Sequence, residues 1–187
     1  IKPDIPVVIG ETQAETEKLF CEKALSAGSE IWFADRNFSC NLGKMKAGNA
    51  MRRFTVNYLT EARVFSGSTP LGGDYQMKNL QTLFQAAIVL KDRFRISEKN
   101  ISDGIRKVLI NTGLQGRWQI IGRKPLIICD TGHNREGLEY VLKQLQGIPA
   151  TKLHMVIGFV SDKDTASILP MFPRKARYYF TRASVLR

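Results

Sequence analysis

The sequence predicts an α/β protein, and three observations carry that reading. An apolar run, Ile5-Pro6-Val7-Val8-Ile9, is followed by helix-spaced residues and then a second apolar run, Ile31-Trp32-Phe33-Ala34. From Trp118 onward, short apolar runs again alternate with a helical pattern. Polar or glycine-bearing clusters follow three of those later runs, at the strand ends where open parallel sheets gather ligands.

The elements follow in order. Ile5–Ile9 reads as a strand ended by Gly10. Thr12-Gln13-Ala14-Glu15 has capping-box spacing, and Leu19, Phe20, Ala24 and Ala27 recur at helical intervals up to Gly28. With Ile31–Ala34 this makes a βαβ unit, hence a parallel pair with a right-handed crossover. Phe54–Leu59 and Arg63–Phe65 alternate like half-exposed strands and predict an antiparallel hairpin at a sheet edge. Gly67, Pro70, Gly72 and Gly73 predict a loop. A long helix is expected over 75–94, with Met77, Leu80, Phe84, Ala87, Ile88 and Leu90 inward. A further helix fits 97–111, with Ile101, Ile105, Val108 and Leu109 inside and Gly113 as its stop.

Gln115-Gly116 reads as a domain joint, dividing the chain into 1–114 and 115–187. Beyond it, Trp118–Ile121 and Leu126–Cys129 are strands, and a helix fits 134–145. Leu153–Ile157, a short helix over 165–171 and the strand Arg177–Phe180 complete a βαβαβ pattern, half of a doubly wound sheet. Neither end carries a natural start or stop signal, so both read as cuts inside a longer sequence.

Composition narrows the class. The 187 residues are 43% hydrophobic and 24% charged, which excludes collagen, coiled coil and wholesale disorder. No apolar run approaches the roughly 20 residues of a membrane helix. Cys21, Cys40 and Cys129 cannot all pair with one another and lack zinc-site spacing, so a reducing cytoplasm is expected. Net charge is +11, and residues 115–187 hold 12 basic and 5 acidic side chains, +7 of that total. Such a surface suits anions, but no aromatic-interleaved RNA motif accompanies it. The plainer alternatives are a solvated basic face or one that meets an acidic domain.

The chemistry is expected at the strand ends. Asp130-Thr131-Gly132-His133-Asn134 follows one strand, Gly158 through Asp162-Lys163-Asp164 another, and Thr181-Arg182-Ala183 a third. The first is sharpest: an apolar run ends in Asp130, Gly132 frees the backbone, and His133 and Asn134 open a helix whose N–H groups suit an anion. Asp130 could accept from a ribose hydroxyl or orient His133, and His133 could donate to phosphate. The plainer alternative is that Asp130 and Asn134 only cap the helix and His133 is incidental. The other histidine, His154, lies within a strand and reads as structural. No G-x-x-x-x-G-K-[ST] loop, G-x-G-x-x-G turn, H-E-x-x-H helix or nucleophile elbow occurs in these residues. If the chain binds ATP, another segment must hold the triphosphate.

Together the motifs resemble the folylpolyglutamate synthase/dihydrofolate synthase family of the Mur ligase superfamily. Asp130-Thr131-Gly132-His133-Asn134 resembles its D-x-A-H-N signature, with Gly132 in place of Ala. Gly116-Arg117 is similar to its P-G-R, with Gln115 in place of Pro. Leu71-Gly72-Gly73-Asp74-Tyr75-Gln76-Met77-Lys78-Asn79 resembles L-x-G-x-[HY]-Q-x-x-N. Ile1-Lys2-Pro3 through Val8-Ile9-Gly10 resembles I-K-P-x-x-P-V-V-x-G, and Gly158 with Asp162-Lys163-Asp164 resembles G-x-x-x-D-K-D. These five segments stand in the family's order over almost the whole chain.

The resemblance implies the end of a P-loop-type ATPase domain (1–114) followed by the first half of a Rossmann-like C-terminal ligase domain (115–187). It implies ATP and Mg²⁺, with the P-loop, a magnesium-binding Glu and an often carbamylated Lys supplied upstream. In that family ATP phosphorylates a pterin-linked carboxylate, of dihydropteroate or folate, and the amine of L-glutamate attacks the acyl phosphate. Carried over by position, Arg117 and His133 would be catalytic. Asn79, Gln76, Arg117, Asp130 and His133 would hold the nucleotide, and Asp162, Lys163 and Asp164 would line the rim or the glutamate pocket. No metal ligand is assigned within the chain, and neither membrane nor nucleic acid is expected as a partner. The alternatives are a Mur-type peptidoglycan ligase, which usually shows H-N-x-x-N where this chain has Tyr75-Gln76, and a basic nucleic-acid-binding module.

Overall fold

The computed structural model describes residues 1–44, 50–159 and 165–181. The expected βαβ unit opens it. Strands β1 (Val7–Ile9) and β2 (Ile31–Phe33) run parallel, with Val8 opposite Trp32, and helix α1 (Ala14–Ser26) crosses between them. The start of α1 differs from the capping-box expectation. Its cap residue is Gln13, whose side chain makes no cap bond. Thr12 instead donates its amide and hydroxyl to the two oxygens of Asp35, at 2.8 and 2.9 Å. A carboxylate offering two acceptors outcompetes the helix end for a hydroxyl that can serve only one of them. Ala24 is buried, while Leu19 is 63% exposed, because only two strands lie beneath the helix.

Helix α2 (Ala34–Asn37) leads into an antiparallel sheet of three strands, β3 (Phe38–Leu42), β4 (Arg52–Tyr58) and β5 (Arg63–Thr69). The expected hairpin is present as β4–β5, but β3 joins it, and Gly67 lies inside β5 rather than in a loop. This sheet is separate from the β1–β2 pair. Strict alternation on β4 turns Phe54, Val56 and Tyr58 to one face. Helix α3 (Gln76–Phe94) lays Leu80 and Phe84 on that face. The fully buried Phe84 ring meets Phe65 edge-on at 4.8 Å and lies within 6.5 Å of Phe38 and Phe54. Ile88 and Leu90, expected inward, are about two-fifths exposed.

The helix expected over 97–111 is broken at Lys107 into α4 (Glu98–Arg106) and α5 (Val108–Thr112). Ser97 and Asn100 form a reciprocal capping box at its start. Ile105 joins the first core, and Gly113, at φ 65°, ends α5.

Beyond residue 115, the strands and helix arrive in the expected order with a different pairing. Strands β6 (Gln119–Arg123) and β7 (Leu126–Cys129) form an antiparallel hairpin, not members of a parallel set. Only two residues separate them, too few for the crossover that parallel pairing needs. Helix α6 (Arg135–Gln146) follows, then β8 (His154–Ile157), α7 (Thr165–Ile168), a 3₁₀ turn over Leu169–Met171, and β9 (Arg177–Phe180), parallel to β8. Leu138 and Leu142 of α6 pack with Ile168 and Phe172 as a second core. No helix among the described residues is long and apolar enough to cross a membrane.

Candidate active site at the joint

The second half meets the first where the residues before α3 touch the loop after β7. Asp130 ends β7 and is the hub. Its Oδ2 accepts from the Tyr75 hydroxyl at 2.9 Å and from the Trp118 amide at 2.7 Å. Its Oδ1 accepts from the Gly132 amide at 2.7 Å. Three donors from three segments thus converge on one part-buried carboxylate. Burial and the Asp130 charge push the Tyr75 phenol well above its ordinary value, so the hydroxyl remains a donor.

Arg117 and Thr131 face each other on the second side of the same joint. Arg117 Nη1 donates to Thr131 Oγ1, and the Thr131 amide donates to the Gly116 carbonyl at 2.9 Å. Gly116 sits at φ 68°, and a Cβ there would stand 2.4 Å from Thr131 Cγ2. Glycine is required both for that backbone and for that approach. The buried Trp118 side chain anchors the turn immediately after Arg117.

His133 is exposed, and its Nδ1 lies 3.1 Å from the Thr131 carbonyl. A carbonyl only accepts, so Nδ1 carries hydrogen and Nε2 is the nitrogen left for proton exchange or anion contact. Asp130 does not orient His133; its acceptors serve Tyr75, Trp118 and Gly132. Asn134 is the helix cap, accepting from the Gly137 amide at 3.0 Å. The capping alternative therefore holds for Asn134, while Asp130 braces the joint.

Gln76 and Asn79 occupy the first turn of α3. Asn79 Nδ2 donates to Gln76 Oε1 at 2.9 Å, Gln76 being buried and Asn79 exposed. The Tyr75–Asp130 bond sets that turn beside the loop bearing His133. Asp162, Lys163 and Asp164, expected at the rim or the glutamate pocket, lie outside the described residues, as does Arg182. Among the described residues no group of three or more His, Cys, Asp or Glu side chains could hold a metal ion.

Sequence reasoning missed four contributors. Tyr75 lay inside a quoted motif but carried no assigned role. Thr131 and Trp118 act through a hydroxyl and a backbone amide, which residue type does not announce. Arg52 is 8% exposed and grips the loop before α3, donating to the Gly72 carbonyl at 2.8 Å and pairing with Asp74 at 2.7 Å. A cation at an inward position of an alternating strand was the available signal.

Known proteins resemble the chain on both sides of residue 115. Residues 116–186 match the family described as Mur ligase, glutamate ligase domain. The folylpolyglutamate synthase of Lacticaseibacillus casei is 28% identical over 170 residues, 90% of this chain and 38% of that protein. A UDP-N-acetylmuramoyl-L-alanyl-D-glutamate–2,6-diaminopimelate ligase of Streptomyces avermitilis is 33% identical over 126 residues, 66% of this chain and 23% of that protein. Among solved structures, an FPGS–AMPPCP–folate complex aligns with TM-score 0.77 and 26% identity, over 96% of this chain and 43% of the other. The chain thus spans well under half the length of the relatives it matches. Its residues 116–186 are similar to the Mur ligase glutamate ligase domain, in a chain similar over most of its length to a folylpolyglutamate synthase.

Proposed function

We propose that this chain is part of an ATP-dependent ligase that adds L-glutamate to dihydropteroate, folate or both through an acyl phosphate. The observation that carries the proposal is the junction itself: the Tyr75–Asp130 bond holds the start of α3 beside the loop carrying His133, to which Arg117, in the turn before β6, is bonded through Thr131. Phosphoryl transfer to a carboxylate needs positive charge and hydrogen-bond donors fixed around the transferring group, in a site closed from water. Arg117 supplies a permanent planar cation at the joint. Exposed His133, with Nδ1 committed to the Thr131 carbonyl, presents Nε2. Asn79 and Gln76 would meet the nucleotide from the α3 side. Asp162, Lys163 and Asp164 are assigned to the rim or the glutamate pocket.

We further infer a division at residue 115, with the end of an ATPase domain before it and the beginning of the ligase domain after it. The two separate cores support that division. Three free cysteines suit a cytoplasmic setting. The peptidoglycan-ligase alternative shares the chemistry and is the less favoured, given the synthase relatives and Tyr75-Gln76 in the motif before α3.

The test is a coupled assay of ADP release from the complete enzyme, with ATP, glutamate and each acceptor in turn. Turnover that requires dihydropteroate or folate supports the reading; turnover only with a nucleotide-sugar peptide overturns it. The 187-residue chain alone should release no phosphate, because it contains no P-loop to hold the triphosphate.

A further inference from the structure

Gln144 lies in the last turn of α6, far along the helix from His133, and belongs to none of the motifs. Its side chain nevertheless pairs with loop backbone from the other half of the chain. Nε2 donates to the Gly72 carbonyl at 2.9 Å, and Oε1 accepts from the Asp74 amide at 2.8 Å. A side-chain amide thus completes both backbone groups of Gly72–Asp74, as a neighbouring strand would. The same Gly72 carbonyl receives Arg52 Nη1 at 2.8 Å, and Asp74 pairs with Arg52 Nη2. The segment is held from the sheet side by Arg52 and from α6 by Gln144.

Two further contacts make the grip continuous. Tyr140, one turn before Gln144 on the same face of α6, has the Lys78 ammonium 5.6 Å from its ring centre. Tyr75, immediately after the clamped segment, reaches Asp130 just before α6. Gly73 makes room for this: a Cβ there would lie 2.4 Å from the Tyr75 ring. The start of α3 is therefore tied along α6, by Gln144 at one end and by Tyr75 and Asp130 at the other.

From this geometry we propose that Gln144 is a positioning residue, whose amide clamp on Gly72 and Asp74 sets the separation between the first turn of α3 and the neighbouring segments that carry Arg117 and His133. The catalytic consequence rests on the ligase reading above; the clamp itself does not. Side-chain bonds to a rigid helix hold a loop in one place, and small displacements of positioning groups cost large factors in rate.

The experiment has two arms. In Gln144→Ala, hydrogen exchange at the Asp74 and Trp118 amides should accelerate by about tenfold or more, with Leu138 and Leu142 still protected. Gln144→Glu keeps the acceptor for Asp74 but loses the donor to Gly72, and should fall between. In the complete enzyme, Gln144→Ala should raise the KM for ATP by about tenfold, with a much smaller effect on the KM for glutamate. Unchanged exchange at Asp74 and Trp118 overturns the clamp. Accelerated exchange with an unchanged KM for ATP overturns its role at the site. Absence of ATP- and glutamate-dependent turnover in the wild type would sink the ligase reading alone, and the exchange pattern would still decide the clamp.

Discussion

The Tyr75 hydroxyl donates to Asp130 Oδ2 over 2.9 Å, joining residues 55 positions apart. The bond links the helix expected to approach the nucleotide with the loop expected to approach its phosphates. Asp130 thereby braces the joint, and on the proposed reading Arg117 and His133 beside it carry the chemistry.

Tyr75→Phe leaves Asp130 with two donors and removes the third without opening a cavity. The expected loss is about 1–2 kcal/mol in urea unfolding. A fully stable Tyr75→Phe protein would show that the carboxylate finds water as good a partner.

Arg117→Lys keeps the charge and loses the planar fork, so ATP should still bind while turnover falls. Arg117→Ala should be worse in both, losing about 2–4 kcal/mol of transition-state stabilisation in the complete enzyme. Steady-state kinetics with varied ATP checks this; wild-type turnover in both variants would reduce Arg117 to a surface residue bonded to Thr131.

His133 is exposed, and its side chain bonds a neighbouring carbonyl. His133→Ala should therefore leave thermal stability within about 0.5 kcal/mol of the wild type. ATP-dependent turnover should nevertheless fall by an amount similar to Arg117→Ala. Loss of stability together with activity would point to a structural role instead.

Arg52 is buried with its charge paired to Asp74 and its donors on the Gly43 and Gly72 carbonyls. Arg52→Ala strands those partners and should cost about 3–5 kcal/mol. Arg135→Ala, which breaks an exposed i,i+4 pair with Glu139, should cost under about 0.5 kcal/mol. Equal effects in denaturant titration would contradict the burial argument.

Burial pushes the Cys40 thiol up from its ordinary 9.0 to about 11, and burial likewise raises Tyr58, Tyr75 and Tyr178. For such groups the folded state holds its proton longer than the unfolded chain. Their contribution to stability is complete below the unfolded pKa and is lost as pH rises through the folded one. Stability should therefore decline from about pH 9 to 11. Cys40→Ala should flatten part of that slope in pH-dependent unfolding curves.

Sequence pattern alone determined the element types. Period-2 alternation in β4, helical periodicity in α3 and glycine stops at Gly28 and Gly113 are local properties, readable wherever a side chain's own neighbours decide its conformation. The turn at the candidate site was also legible as structure, since Asp, Gly, His and Asn after an apolar strand announce a turn into a helix. Strand partnership was not legible: β3 is short, and whether it joins β4 depends on residues 12 to 20 positions away. Only the tertiary structure decided the work of each polar group. The Thr12 hydroxyl left its helix cap for Asp35, Asp130 chose Tyr75 over His133, and Gln144 took up the backbone of Gly72 and Asp74. A hydrogen-bond donor or acceptor goes to the partner that folding brings within about 3 Å, and one-dimensional spacing does not contain that distance.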